Sequence, residues 1–200
     1  MKVLVGFEFS QTITQAFRAR GHEAFSCDLL PTEGNQEWHL QGDIFEVLDE
    51  LRKRGWIPDM VFGHPECTRL CNSGVRWLHE RNLWEDMRQA AELFRRVLNL
   101  DVQRICIENP IPHRYALEII GRKYDQIIQP WQFGEDASKA TCLWMKNLPK
   151  LEPTNILLKD RYSNQTPTGQ NRLAPSDHRA KDRARTYRGI AEGMAAQWNF

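Results

Sequence analysis

Cys67 is the residue whose type and position most strongly indicate chemistry. It lies in the stretch FGHPECTRLCNSG, residues 62–74, where an apolar run ends in Gly-His-Pro and leads into a polar loop. A cysteine beyond a strand end and near a helix start can have a lowered pKa, because exposed backbone N–H groups stabilise the thiolate. Neighbouring Arg69 and His64 favour that thiolate and Glu66 opposes it. The pattern favours a nucleophile, and the alternative is a buried, inert thiol.

A carboxyl group follows another apolar run, RICI. Glu108 comes directly after this run and begins Glu-Asn-Pro, residues 108–110. Because burial raises the pKa of a carboxyl group, we expect Glu108 to hold a proton near neutral pH and to donate it to a ring nitrogen. The alternative is an acid that accepts hydrogen bonds from the amides of a turn. Cys67 and Glu108 together form a nucleophile and acid pair for covalent catalysis.

Two further acids indicate nucleotide binding. Asp28 ends the apolar run EAFSCD, where an acid in a nucleotide-binding α/β fold accepts hydrogen bonds from ribose hydroxyls. Asp43 can accept a hydrogen bond from an adenine amino group, or it can cap the helix that follows. For both acids a structural role is the alternative.

A zinc site is the competing interpretation of the cysteine-containing loop. Cys67 and Cys71 are four residues apart, with His64 and His79 nearby. This spacing is not a paired CxxC pattern, and the sequence has no second such pair. We therefore expect no metal.

Alternating strand and helix patterns position these residues. Apolar runs predict strands at 2–9, 23–28, 59–62, 104–107, 125–130 and 140–145, and helical spacing predicts helices at 11–22, 43–55, 82–99 and 186–198. The alternation predicts α/β architecture with a mainly parallel sheet. Ligands bind such sheets at the carboxyl ends of the strands. Those ends carry Glu8, Asp28, the His64–Cys67 segment and Glu108.

Length and charge narrow the class of protein. Two hundred residues fit one domain, and the net charge of +1 does not by itself indicate a nucleic-acid partner. Residues 28–50 carry seven acids and no lysine or arginine, whereas residues 159–188 carry eight lysines and arginines against three acids. The loop-rich segment 149–184 therefore either contacts phosphates or is a solvated loop. Five scattered cysteines and the lack of a long apolar stretch predict a cytoplasmic protein without a membrane span.

The order of these motifs resembles the cytosine carbon-5 methyltransferases of DNA, and more closely a group of short phage and prophage proteins. The resemblance covers most of the chain and is carried by FEFSQ, SCDLLP, GHPECT, ENP, SKATCLW and TYRGIAEGMAAQW. It implies a single domain with a Rossmann-like, class I methyltransferase fold. It also implies S-adenosylmethionine as cofactor, and DNA or a free pyrimidine nucleotide as substrate.

The resemblance also implies residue roles. Cys67 attacks carbon 6 of the pyrimidine, Glu108 protonates or hydrogen-bonds to ring nitrogen 3, and Asn109 supports the loop. Lys139 takes roughly the place of an arginine that holds the base, and Arg69 is a second substrate-binding residue. The implied cofactor pocket contains Phe7, Phe9, Ser10, Asp28, Leu29, Asp43, Ile44, His64 and Pro65.

Two departures from the family pattern keep other functions open. The glycine-rich cofactor loop of the family is GFEFSQ here, with only Gly6, and its Pro-Pro-Cys-Gln is PECT, residues 65–68. The alternative hypothesis is a catalytically idle relative that binds a nucleotide, nucleic acid or a host protein, for instance to counter a host defence. A third hypothesis is a different thiol-dependent nucleotide enzyme. The oligomeric state is not predicted.

Overall fold

The computed structural model describes residues 1–168 and 185–200. Within them, the strands are β1 (Lys2–Gly6), β2 (Glu23–Asp28), β3 (His39–Gln41), β4 (Met60–Gly63), β5 (Arg104–Pro110), β6 (Gln126–Ile128) and β7 (Thr141–Lys146). The helices are α1 (Thr12–Arg18), α2 (Ile44–Lys53), α3 (Val75–Glu80), α4 (Trp84–Leu98), α5 (Arg114–Ile120) and α6 (Arg188–Gln197).

The seven strands form one sheet in the order β3-β2-β1-β4-β5-β7-β6. The first five strands are parallel, and β7 runs antiparallel to both of its neighbours. The carboxyl ends of β1, β2, β4 and β5 therefore meet along one edge of the sheet. This arrangement confirms the predicted α/β architecture with a mainly parallel sheet.

Apolar side chains cover both faces of the sheet. On β1, Leu4 packs into a cluster with residues of α2, α4 and α5, whereas Val3 and Val5 pack against α1 and α6. On the second face, the ring centroids of Phe62 and Trp198 lie 5.8 Å apart. Burial on both faces explains why the central strands are continuous apolar runs rather than alternating patterns.

Several element boundaries differ from the sequence prediction. The predicted strand 23–28 agrees with β2, but the strand predicted for 2–9 ends at Gly6, because Phe7 has a left-handed backbone with φ of 61°. The short elements β3, α3 and α5 were not predicted, since three to seven residues carry too little periodicity.

The loop-rich segment lies only partly within the described residues. Residues 149–168 contain no helix or strand, as predicted, and residues 169–184 lie outside the described part. Across the described ranges, no helix combines the length and apolarity needed to span a membrane.

Candidate active site

Glu108 is the centre of a charged cluster at the carboxyl edge of the sheet. Its Oε2 accepts a hydrogen bond from Nδ1 of His64 at 3.1 Å, and Nζ of Lys139 lies 4.0 Å from its Oε1. The side chains of His64 and Glu108 are only 9% and 12% exposed. His64 follows β4, which pairs with β5, and Lys139 precedes β7, the other neighbour of β5. The sheet order thus brings together three residues that are distant in sequence.

The cluster determines the charge of Glu108. Burial raises the pKa of its carboxyl group, but the charge of Lys139 and the hydrogen bond and charge of His64 outweigh burial and lower that pKa to about 2. The prediction that Glu108 holds a proton near neutral pH is therefore wrong for the free protein. The sequence shows the burial of the strand, but not the approach of Lys139 and His64 from other elements.

Cys67 lies in a tight turn after β4. Its carbonyl oxygen accepts hydrogen bonds from the backbone N–H groups of Leu70 and Cys71, both at 3.0 Å. The turn is held to the segment before α5, because Asn72 N donates to Ile111 O at 2.9 Å and His113 N donates to Leu70 O at 3.0 Å. Cys67 is half-buried in this turn.

The pKa of the Cys67 thiol is raised, which corrects the expectation that it is lowered. A hydrogen bond with Cys71, burial and the charge of Glu108 raise this pKa, and only the charge of Lys139 opposes them. Arg69 does not offset them, because its guanidinium lies 3.5 Å from the carboxylate of Asp86.

Three buried polar atoms near the ends of β4 and β5 lack hydrogen-bond partners within the described residues. The side chain of Asn109 is buried, and within the described residues neither its amide nitrogen nor its oxygen has a partner. Nε2 of His64 is unpartnered in the same part of the chain. Buried polar groups are nearly always satisfied, so these atoms indicate a place for a ligand or an ordered water.

Glu8 is a residue at this edge that the site prediction omitted. Its side chain is buried and accepts hydrogen bonds from Ile13 N at 2.7 Å, Thr14 N at 3.2 Å and Thr14 Oγ1 at 2.6 Å. Burial raises the pKa of Glu8, although the charge of His64 lowers it in part. An acid at the end of an apolar run was the available signal, but the sequence does not show that the side chain turns inward.

The loop after β1 turns sharply without glycine. Phe7 and Gln11 both have left-handed backbones, with φ of 61° and 59°. The buried Gln11 side chain donates to Ser26 Oγ at 3.0 Å and to Asn35 O at 2.8 Å, and it accepts from Asn35 N at 2.8 Å. These contacts hold a conformation that glycine would adopt more easily.

The other predicted cofactor residues of the first loop lie beside that turn. Phe9 is buried, and its carbonyl oxygen accepts from Thr32 Oγ1 at 2.9 Å. Ser10 is half-buried, with its Oγ 3.2 Å from Thr12 Oγ1. Pro65 is buried on the β4 side of the same edge.

The acids at the β2 end differ in their surroundings. Asp28 is half-buried and accepts from Leu30 N at 2.9 Å, and the adjacent Leu29 is 70% exposed. Asp43 caps α2 by accepting from Phe45 N at 2.9 Å, which is the helix-cap role that its sequence position allowed.

The side chain of Ile44 packs against the end of β1. It is buried, and its Cδ1 lies 2.2 Å from where a β-carbon on Gly6 would be. Gly6, the last residue of β1, therefore makes room for Ile44.

Metal-ligating side chains do not cluster in the described residues. No group of three or more histidine, cysteine, aspartate or glutamate side chains there can hold an ion. The loop cysteines and histidines considered for zinc do not form such a group.

Comparison with known proteins identifies the fold. No protein-family model matches the sequence, and no curated protein matches it. Among solved structures, the chain is similar to a protein described as a DNA modification methyltransferase encoded within a prophage of E. coli, with TM-score 0.51 and 13% identity over 78% of this chain and 51% of that one. It is also similar to the methyltransferase EhMeth of Entamoeba histolytica, with TM-score 0.47 and 13% identity over 78% of this chain and 57% of that one.

The chain thus spans about half the length of these solved structures. The first similarity agrees with the strand order and the mainly parallel sheet, and it confirms the predicted resemblance at the level of the fold. The chain has the Rossmann-like fold of the class I methyltransferases.

Proposed function

We propose that this chain transfers a methyl group from S-adenosylmethionine to carbon 5 of cytosine in DNA, through a covalent bond to Cys67. The observation that carries the proposal is the convergence of Cys67, Glu108, His64 and Lys139 at the carboxyl edge of a methyltransferase-type sheet. Cytosine is the substrate that suits this set, because carbon 6 of its ring is electrophilic and is conjugated through carbons 5 and 4 to nitrogen 3, which takes up a proton when a thiolate adds to carbon 6.

In the first step, the proton of the Cys67 thiol moves to the carboxylate of Glu108. The negative charge thereby moves from Glu108 to Cys67. The charge of Glu108 raises the pKa of the Cys67 thiol, so by reciprocity a thiolate at Cys67 raises the pKa of Glu108. The free protein keeps the charge on Glu108. A base that occupies the cluster replaces water around Glu108, raises its pKa further and favours the state with a neutral Glu108 and an ionised Cys67.

Lys139 stabilises the charge at both positions. Its ammonium lies 4.0 Å from Glu108 and lowers the pKa values of both Glu108 and Cys67. The transfer of charge therefore leaves one anion beside one cation throughout. This arrangement avoids burying an isolated ion, which is costly.

The covalent step then follows from these protonation states. The sulfur of Cys67 bonds to carbon 6, an electron pair moves through the ring to nitrogen 3, and nitrogen 3 takes the proton from Glu108. The resulting enamine makes carbon 5 nucleophilic. After methylation, the proton on carbon 5 leaves to solvent, the bond between carbon 6 and sulfur breaks, and its electron pair returns to Cys67. The proton on nitrogen 3 returns to Glu108, which restores the free protein.

Asn109 and His64 are proposed to hold the base. The Asn109 amide, which follows Glu108 on β5, and His64 Nε2, just after the end of β4, are buried polar groups without partners in the described chain. Both can hydrogen-bond to the polar edge of a pyrimidine. A base in the site then satisfies atoms that the fold leaves unpaired.

The β1–β2 edge fits the nucleoside part of S-adenosylmethionine. The half-buried carboxylate of Asp28 can accept hydrogen bonds from ribose hydroxyls, and the exposed Leu29 offers an apolar contact. Phe7 and Ser10 border the same edge, on the loop between β1 and α1. When bound, S-adenosylmethionine supplies the electrophilic methyl group.

Methylation of DNA by the purified chain tests the proposal. We expect 5-methylcytosine, measured by mass spectrometry of digested DNA, from the wild type and from Cys106→Ala, which removes a thiol buried within β5. Cys67→Ala should reduce the product at least 10³-fold. Undiminished product from Cys67→Ala would exclude the covalent route, and product methylated at another atom would exclude carbon 5.

A second candidate function is binding of nucleic acid without methyl transfer. It is supported by two predicted cofactor residues that have structural roles in the fold. Asp43 caps α2 through its Oδ1 and Ile44 packs over Gly6, so both residues already have a role in the fold. A chain of this kind can bind nucleic acid without transferring a methyl group. Calorimetry with S-adenosylmethionine separates the two functions: binding supports the transferase, and no heat at millimolar concentration supports the idle relative.

A further inference from the structure

Trp77 on α3 holds two arginine side chains. The guanidinium carbons of Arg76 and Arg81 each lie 4.2 Å from the centre of its indole ring. Both arginines are exposed and the ring is half-buried. Within the described residues, neither guanidinium has a carboxylate partner.

A third arginine of this kind begins α5. Arg114 lies 4.7 Å from the ring centre of Tyr115 and donates to its hydroxyl at 2.9 Å. Tyr115 packs edge-on against Trp84, with ring centroids 5.0 Å apart, and against His79 of α3 at 6.1 Å. Ring contacts thus connect α3, α4 and α5 on one side of the molecule. We call Arg76, Trp77, Arg81, Arg114 and Tyr115 the arginine–aromatic surface.

Two arginines of α4, Arg88 and Arg95, differ from those of this surface because they pair with carboxylates. Arg88 pairs with Glu85, and Arg95 lies 2.8 Å from Glu92. An arginine stacked on a ring keeps its planar N–H fork directed outward and loses less side-chain entropy when that fork binds a phosphate. The arginines of the surface are therefore pre-organised for an anion, although Glu80 and Glu118 on the same helices reduce its net charge.

The arginine–aromatic surface borders the loop of the candidate nucleophile. The turn after Cys67 continues into α3, and a bridge between Cys71 and Pro112 joins it to the segment that leads into α5. The β-carbon of an alanine at Gly74 would lie 2.5 Å from the carbonyl oxygen of Thr68, so the start of α3 packs closely on that turn. Both parts of the surface are thus attached to the Cys67 loop.

We infer that the arginine–aromatic surface binds the phosphate backbone of DNA on either side of the base that enters the site. Three guanidinium groups on two helices can contact more than one phosphate of a chain, whereas a free nucleotide has phosphates at one position only. The inference rests on the proposed function for the identity of the substrate. It deepens that function by naming the residues, outside the predicted basic segment, that contact the backbone of the DNA.

Binding of a labelled 20-base-pair DNA duplex by fluorescence anisotropy tests the inference without methyl transfer. The double substitution Arg76→Gln and Arg81→Gln should weaken binding about tenfold or more at 0.1 M KCl. It should also reduce the slope of log Kd against log salt concentration by about 1.8, which corresponds to two lost phosphate contacts. The matched control is Arg88→Gln with Arg95→Gln, which removes the same charge and should change neither value.

A second variant tests the role of the ring itself. Trp77→Leu keeps both arginines but removes the surface on which they stack, so we expect weaker binding with an unchanged salt slope. Equal weakening by the two double variants would overturn the inference, because net charge alone would then explain it. Unchanged binding by Arg76→Gln with Arg81→Gln would overturn it too. Normal binding with no methylated product would instead contradict the proposed function alone.

Discussion

The two halves of the carboxyl edge use their polar residues in opposite ways. At the β1–β2 end, Glu8, Gln11 and Asp43 hydrogen-bond to backbone groups of the chain itself. At the β4–β5 end, Glu108 is surrounded by charged side chains, and the Asn109 amide has no partner in the described chain. Polar groups that satisfy one another serve the fold, whereas unsatisfied and charged ones are available for a ligand.

Two buried acids show the same contrast. Glu8 accepts hydrogen bonds mainly from the start of α1, and burial raises its pKa. Glu108 is also buried, but Lys139 and His64 lower its pKa to about 2. Burial alone therefore does not determine the charge of an acid at a strand end. The cations that other elements bring to it decide the outcome.

Among these predictions, substitution of Lys139 should have the largest effect, a loss of methylation activity at the β4–β5 end. Lys139→Met removes the cation beside Glu108 and Cys67, so the pKa values of both groups rise and methylation falls about 10²- to 10³-fold. Lys139→Arg keeps the charge and should retain most of the activity. The measurement is the initial rate of DNA methylation. Equal activity of Lys139→Met and Lys139→Arg would show that the cation has no part in the reaction.

Acid should destabilise the protein through Glu108. Its folded pKa of about 2 lies below its ordinary value of 4.5, so it contributes stability that is present above pH 4.5 and lost as pH falls toward 2. The full contribution is on the order of 3 kcal/mol. Glu8 acts in the opposite sense, because its raised pKa stabilises the fold below pH 4.5 and that stability is lost as pH rises.

Urea unfolding at pH 5 and pH 3 measures the Glu108 contribution. The wild type should lose more free energy of unfolding between these pH values than Glu108→Gln, which has no titrating carboxyl group at that position. A loss in Glu108→Gln as large as in the wild type would contradict the lowered pKa.

Substitutions at the β1–β2 end should lower the free energy of unfolding and leave the chemistry of the β4–β5 end unchanged. Gln11→Ala removes three hydrogen bonds and leaves Ser26 and Asn35 without that partner, so we expect a loss of about 2 kcal/mol in the free energy of unfolding. Under conditions where the variant is fully folded, the reactivity of Cys67 should be the same as in the wild type. A stable variant with altered Cys67 reactivity would remove the distinction between the two halves.

Removal of the hydrogen bond between Cys67 and Cys71 should give the smallest effect, a change in the alkylation rate of Cys67. Cys71→Ala removes the group that raises the pKa of Cys67 most, so alkylation of Cys67 by iodoacetamide at pH 7.5 should be faster, up to about tenfold. Peptide mass spectrometry measures the rate at Cys67 alone. Cys142→Ala, which changes a buried thiol on β7, is the control and should leave that rate unchanged.

The sequence predicts the positions of the site residues better than their chemical states. Strand order and the rule for parallel sheets are enough to place Cys67 and Glu108 at one edge. The charge of Glu108 depends on Lys139, which reaches it from the loop before an antiparallel strand. The state of Cys67 depends on Cys71, which a single turn brings close. Neither the contact of Lys139 with Glu108 nor that of Cys71 with Cys67 produces a periodic pattern in the sequence.

The backbone at the first loop illustrates the same limit. The residue pattern predicts a strand over 2–9 and a helix over 11–22, yet Phe7 and Gln11 adopt left-handed conformations. The side-chain hydrogen bonds of Gln11 hold its conformation, and they involve residues of β2 and of the loop after it. Tertiary contacts of this kind override local backbone preference, and a single sequence does not reveal them.

Trapping of the covalent bond tests the central claim most directly. A DNA duplex with 5-fluorocytosine at the target position cannot lose a proton from carbon 5, so the bond between carbon 6 and the sulfur of Cys67 should persist. With S-adenosylmethionine present, intact-mass measurement should show one DNA strand bound to the protein, and peptide mapping should place it at Cys67. No complex with the wild type, or an equal yield from Cys67→Ala, would contradict the role of Cys67 as the nucleophile.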